Sequence, residues 1–384
     1  MNSVRKKLKI LALAGIALGL TSIALPAGAT GTAAGTLINN RAVVSYTVGG
    51  TAQTVVNSSP TGNSTPGAGS GFGADTTFVV DRMVNYTLTT VDTTAVVGTP
   101  GQTQLVTTFL VTNTGNATES FNAVAANLVG GTVFAPANTD TIDAANIKVY
   151  FGPDATTAYN AGTAVAATLA PDIAQDTGKR IFVLADLPLA ATNGAGANVR
   201  LTVKGATAGS LGATIETATN GADAVGAVDV VIAAAVTTTT GTVTTSVKTA
   251  DSGYAVQAPT LTVTKTEAVV TDPVNLTVNP KAIPGATVEY TLTITNNGAV
   301  AANGVSFTDA IAATLALLQN SYTATSNISI TAGGPTRYCI AENGTDANTD
   351  GCFFSAGVLT VSPATPIVIA AASSAVVKYR VTIN

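Results

Sequence analysis

The fold is decided by the stretch Pro284-Gly285-Ala286-Thr287-Val288-Glu289-Tyr290-Thr291-Leu292-Thr293-Ile294-Thr295-Asn296-Asn297-Gly298. A Pro-Gly pair opens it, a corner signal, and Asn-x-Gly closes it, a second one. Between them the side chains alternate. Leu292 and Ile294 fall on one side and Thr291, Thr293 and Thr295 on the other. That period of two predicts a strand with one face in a core and one in water. After the turn, Gly304-Val305-Ser306-Phe307-Thr308-Asp309 continues as a further alternating strand.

The same arrangement occurs earlier in the chain. One copy runs Phe78-Val79-Val80-Asp81, then Thr99-Pro100-Gly101-Gln102-Thr103, then Thr108-Phe109-Leu110-Val111-Thr112-Asn113-Thr114-Gly115. The later copy runs Leu261-Thr262-Val263-Thr264-Lys265, then Ile283-Pro284-Gly285-Ala286-Thr287, then the deciding strand. Several short strands at short spacing mark tandem antiparallel β-sandwiches. We place the first sandwich, an expanded one, at 76–236 and the second at 259–384, with 237–258 either a last strand or a linker. Residues 30–75 read as an N-terminal hairpin around Gly49-Gly50, followed by a linker or long loop rich in Asn, Ser, Thr, Pro and Gly. A lone hairpin is marginal in water, so it is expected to dock on the domain that follows.

Composition agrees. Thr and Val stiffen χ1 and suit pleated, half-buried surfaces, whereas charged residues make up only 10% of the chain. The class is all-β.

The second copy also resembles a known family. The residues that carry the likeness are Thr262-Val263-Thr264-Lys265-Thr266, the Pro284–Gly298 stretch, Val305-Ser306-Phe307-Thr308-Asp309 and Val377-Lys378-Tyr379-Arg380-Val381-Thr382-Ile383. Together they resemble the conserved-repeat domain called domain of unknown function eleven, seen in large bacterial surface proteins. The usual Leu-Pro after the Asp is replaced by Ala310-Ile311-Ala312. The resemblance implies immunoglobulin-like sandwiches and a cell-envelope location, and it supplies no activity.

The first 29 residues read as a signal peptide. Arg5, Lys6, Lys7 and Lys9 form a basic start, Ile10 to Leu25 is apolar, and Leu25-Pro26-Ala27-Gly28-Ala29 offers cleavage after Ala29. Removing those four basic residues leaves 13 Lys and Arg against 21 Asp and Glu. So sparse a positive charge argues against nucleic-acid binding, which needs clustered Lys and Arg. No later apolar run has the length of a membrane span, and the alternating last strand is no sorting tail. The expected location is the cell surface or the medium.

Cys339 and Cys352 in an exported protein read as one structural disulfide. With no histidine anywhere, Ser-His-Asp and Cys-His arrangements are excluded, and no tryptophan is present for a sugar-binding cleft. No cofactor is expected. Two candidate sites stand out. Asp346, Asn348 and Asp350, followed by Gly351, match the start of a calcium loop, but Gly357 stands where its bidentate Glu belongs. The competing reading is a polar loop of local turn bonds. Lys265, Glu289 and Asn384 offer the residue types of an intramolecular Lys–Asn isopeptide bond, against the reading that all three simply face solvent. The expected function is a structural envelope component that assembles with itself or with other envelope proteins. The alternatives are an adhesin for a surface ligand and, last, an exported enzyme.

Overall fold

The computed structural model describes residues 31–68, 71–128, 130, 140–234, 236–239 and 243–384. The expected leader and its cleavage site lie outside them. Among the described residues no helix is long and apolar enough to cross a membrane. Apolar side chains gather in two separate buried clusters, one running from Tyr86 to Val256 and the other from Val288 to Val381.

The N-terminal segment is a nested hairpin. β1 (Leu37–Asn40), β2 (Val43–Val44), β3 (Thr47–Val48), β4 (Thr51–Ala52), β5 (Val56–Asn57) and β6 (Thr76–Val79) pair as β1 with β6, β2 with β5 and β3 with β4, all antiparallel. Gly49 and Gly50 form the tip, as the sequence predicts. The segment is attached to the first sandwich, as expected, but not through its apolar side chains. None of them joins either buried cluster. The attachment is polar: Ala34 N–H donates to Asn116 O (3.0 Å), Gly35 N–H to Val80 O (2.9 Å) and the Asn116 amide to Thr32 O (3.2 Å). Hydrogen bonds at the base hold the segment and leave its tip free of the core.

The first sandwich is built from β7 (Arg82–Val84), β8 (Tyr86–Thr90), β9 (Val96–Gly98), β10 (Leu105–Asn113), β11 (Ser120–Asn127), β12 (Ala145–Phe151), β13 (Val165–Ala166), β14 (Gly178–Asp186), β15 (Gly196–Ala206), β16 (Val230–Ile232), β17 (Val236–Thr239), β18 (Val243–Ser246) and β19 (Lys248–Val256). One sheet has the order β13-β12-β14-β10-β8 and the other β11-β15-β19-β9. β10 alternates strictly between buried and half-buried positions, and Val199, Leu201 and Val203 of β15 are fully buried opposite it. Two tyrosines stitch the layers in opposite directions. Tyr86 of β8 donates to Val203 O (2.8 Å), and Tyr254 of β19 donates to Val183 O (2.9 Å). Burial pushes the Tyr86 hydroxyl up to about 12 and raises that of Tyr254 as well, so both bridges stay protonated donors. Residues 248–256, left open between strand and linker, are thus an inner strand. The first core reaches Val256 rather than stopping near 236, because Tyr254 and Val256 complete it.

The second sandwich uses β20 (Leu261–Thr271), β21 (Thr287–Asn296), β22 (Ala302–Val305), β23 (Phe307–Ala310), β24 (Leu315–Leu317), β25 (Ile328–Ala332), β26 (Arg337–Cys339), β27 (Glu342–Asn343), β28 (Cys352–Ser355), β29 (Val358–Val361), β30 (Ile367–Ile369) and β31 (Ser373–Ile383). One sheet runs β20-β21-β31-β25-β26, with β24 also on β31. The facing layer holds β22-β30 and β23-β29-β28-β27. Leu292 and Ile294 are buried and the intervening threonines half-buried, as their alternation requires. Cys339 and Cys352 are joined by a disulfide that ties β26 in one layer to β28 in the other. Closing a loop of this size is worth about 3 kcal/mol in the chain-entropy account.

The two sandwiches share one device at the end of the central strand. In the second, buried Asn296 donates to Val300 O (2.7 Å) and Ile369 O (3.1 Å), and its oxygen accepts the N–H groups of Gly298 (3.0 Å) and Thr260 (3.1 Å). In the first, Asn113 donates to Ala117 O (2.8 Å) and Ile173 O (2.9 Å) and accepts from Gly115 N–H (3.0 Å). Each glycine two places on lies against backbone, where a Cβ would come within 2.3 Å of Met83 O or 2.1 Å of Ala258 O. The Asn-x-Gly signal read as a turn is therefore also a clasp between strands.

The clasp corrects the alignment of the repeats. Asn296 lies opposite Leu261, whereas Asn113 lies opposite Tyr86. The spatial counterpart of Leu261–Lys265 is thus Tyr86–Thr90, and not Phe78–Asp81, whose first two residues pair with β1. Both stretches of the first copy suit a strand, and only the pairing separates them.

Glu119, at 3% exposure, lies 2.7 Å from Arg82. Burial outweighs that partner and pushes its carboxyl from 4.5 up to about 7. The folded state therefore holds a proton that the unfolded chain has released, so stability falls as pH rises from about 4.5 to about 7. Melting of the first sandwich should shift downward across that window, and Glu119→Gln should flatten the slope. An unchanged slope in the variant would show that other groups set it. Asn296→Ala leaves several buried groups unpaired and should cost about 2 kcal/mol or more in chemical denaturation. The neighbouring Asn297→Ala, on an exposed side chain, should cost little.

Candidate functional site

The calcium-like loop lies between the disulfide cysteines. The oxygens that would hold an ion are engaged by the loop itself. Asp346 accepts from Asp350 N–H (3.1 Å) and Gly351 N–H (2.9 Å). Asp350 accepts from Cys352 N–H (2.9 Å), Ile340 N–H (2.7 Å) and the Asn348 amide (3.0 Å). The Asn348 oxygen also accepts from Asp350 N–H (3.1 Å). Glu342, not singled out from sequence, takes Ala347 N–H (2.7 Å) and Asn348 N–H (3.2 Å). Gly351 has its own reason to be glycine: at φ 85° a Cβ would meet Ser362 O at 2.0 Å. This pattern fits the polar-loop reading, with short side chains standing in for backbone partners.

The proposed isopeptide trio is not brought together. Lys265 pairs across β20–β21 with Leu292, three residues from Glu289. An odd separation along a strand puts side chains on opposite faces. Lys265 Nζ instead lies 2.6 Å from Asp309 Oδ2 and 4.5 Å from the Tyr290 ring centre. The Tyr379 hydroxyl donates to the same carboxylate. Burial and the neighbouring Asp309 together push the Tyr379 hydroxyl well above its ordinary value. On the other face, Glu289 receives Lys378 Nζ (3.0 Å), Arg380 Nε (2.9 Å) and the Tyr322 hydroxyl (3.1 Å). Burial alone would raise the Glu289 carboxyl, but these donors win and hold it below its usual range. Asn384 hydrogen-bonds Ala313 O (3.1 Å), away from both. What these groups do chemically is hold strands together: Lys265 and Tyr379 tie the β20-β21-β31 sheet to β23 through Asp309.

Sequence reading missed Asp309 as the partner of Lys265. The signal was present in the alternation of Phe307-Thr308-Asp309, which puts Asp309 on the same side as Phe307, facing the core.

Because its oxygens already have partners, the 346–351 loop should give the same melting temperature in millimolar calcium and in chelator. A rise with calcium would restore the ion-binding reading.

No family model matches the chain, and no curated protein matches it. Among solved structures it is similar to the collagen adhesin (CNA) from S. aureus. The identity is 14%, the match covers 79% of this chain and 84% of that one, and the TM-score is 0.19, too slight a likeness to bear on ligand or role. The strand pairing itself establishes the class: an all-β protein of tandem, mainly antiparallel β-sandwiches, with β9 on β19, β7 on β16 and β27 on β28 running parallel, and an N-terminal strand hairpin.

Proposed function

We propose that this chain is an exported, non-enzymatic component of a bacterial cell envelope, a coat or spacer element that assembles with copies of itself or with other envelope proteins. One observation carries the reading. The connection between the sandwiches is only residues 257–260, and hydrogen bonds hold it at both ends. Gln257 N–H donates to Gly98 O (2.9 Å) and Ala258 N–H to Asn193 Oδ1 (3.0 Å) on the first unit. Thr260 N–H donates to Asn296 Oδ1 (3.1 Å) and Thr260 O accepts from Asn297 N–H (2.7 Å) on the second. A connection this short and this well bonded has no slack, whereas flexible linkers are long, Gly/Ser-rich and unbonded. That suits a part whose task is to keep a spacing.

The leader-like first 29 residues, the cysteine pair and the resemblance of the second repeat to surface-protein domains support the location. Protease treatment of intact cells, with N-terminal sequencing, tests it. The expected outcome is a surface-accessible chain that begins at Thr30. A cytosolic chain with its leader intact would overturn the reading.

A further inference from the structure

Strand β20 is paired on one side only. It pairs with β21 along its length, and among the described residues no strand pairs with its other edge. Its first eight residues are all exposed. On the face it shares with buried Leu292 and Ile294 it carries Leu261 at 43% and Val263 at 59% exposure. The first sandwich shows the same position finished. There Tyr86 is fully buried, stacked edge-on against Phe121 at 5.0 Å, and Leu88 packs on the core. Edge strands are usually guarded by proline, charge or a bulge. β20 contains no proline, its Lys265 is turned into the ion pair with Asp309, and its remaining guards, exposed Glu267 and the irregularity after Val269, lie beyond the Leu261–Lys265 stretch.

The opposite deficiency lies at the N-terminus. Val43, Val44, Tyr46 and Val48 are between 44% and 62% exposed, and among the described residues the hydrogen bonds that attach their hairpin to the first sandwich lie at its base. From Ala42 to Val56 there is no charged residue. In an extended chain Val44, Tyr46 and Val48 share one face, the spacing by which Val199, Leu201 and Val203 fill the first core. β2 and β3 use one edge to pair with β5 and β4. The other edge is available without breaking those pairs.

We propose that residues 44–48 of one copy pair along the free edge of β20 in a second copy, with Val44, Tyr46 and Val48 beside Leu261 and Val263. Main-chain bonds supply the attachment and alternate side chains the specificity, as in strand addition generally. Donor and acceptor are different surfaces, so the contact is head-to-tail and builds linear chains unless the rotation closes a ring. This names the partner within the assembly reading above and rests on it.

Light scattering and negative-stain microscopy on the mature full-length chain test the contact. Wild type should form linear oligomers that lengthen with concentration. The double variant V44D/Y46D and the variant V263D, all at exposed positions, should each return to the mass of a single chain with unchanged circular dichroism. Mixed together, the two should form discrete dimers, since that pair retains one intact donor and one intact acceptor. Leu261→Lys replaces V263D if the latter does not fold. A wild type that stays monomeric at every concentration overturns the proposal. Assembly broken by V263D but untouched by V44D/Y46D also overturns it, and indicates β20 meeting β20. Chains that reach the cell surface yet remain monomeric there sink this contact while leaving the envelope reading intact.

Discussion

The buried asparagine at the end of each central strand is the constraint on which the rest depends. Asn296 and Asn113 each sit where the chain turns from one layer to the other, out of reach of water, and each donates to two carbonyls outside its own strand. An unsatisfied polar group there would cost more than an ordinary hydrogen bond contributes. The side chain therefore fixes several segments at once: the preceding edge region, the turn, and the strand returning at Ile173 or Ile369. It also sets the register of the edge strand, since the glycine two residues on fits only against that backbone. In the second repeat the same asparagine holds Thr260, so the clasp organising the sandwich also organises the connection into it.

Around this clasp the two sandwiches solve the problem of joining their layers differently. The first uses a large aromatic core and two reciprocal tyrosine hydroxyls, Tyr86 to Val203 and Tyr254 to Val183, each reaching a backbone carbonyl across the layers. The second has fewer large apolar side chains inside. It substitutes a covalent tie, Cys339–Cys352, and a polar one, Asp309 receiving both Lys265 and Tyr379. Hydrophobic area gained with size favours the first solution; a smaller core gains more from a covalent link between its layers. Both β8 and β20 end their sheets, but β8 buries Tyr86 and β20 leaves Leu261 and Val263 exposed.

Much of this was legible in the residues. Threonine and valine at alternate places encoded β21 and β31, with their buried and solvent faces, because period two has one physical meaning on a pleated strand. The cysteine pair was legible because two cysteines close together in a chain without histidine have few alternatives. The calcium-like motif illustrates the limit: Asp346, Asn348 and Asp350 have the right spacing for oxygen ligands, but the same short side chains also cap turns. Which of the two applies depends on where the nearby N–H groups point.

By itself, then, the sequence determined the class, the positions of the central strands and the disulfide, since all of these follow from local alternation, turn chemistry and composition. Only the tertiary structure decided which of two similar stretches lies beside β10, that Lys265 meets Asp309 rather than Glu289, that β19 belongs to the first core, and that the N-terminal hairpin leaves its apolar side chains outside. Each of these depends on register between segments far apart in the chain. A shift of one residue turns every side chain to the other face, so the pattern within a strand cannot reveal its partner.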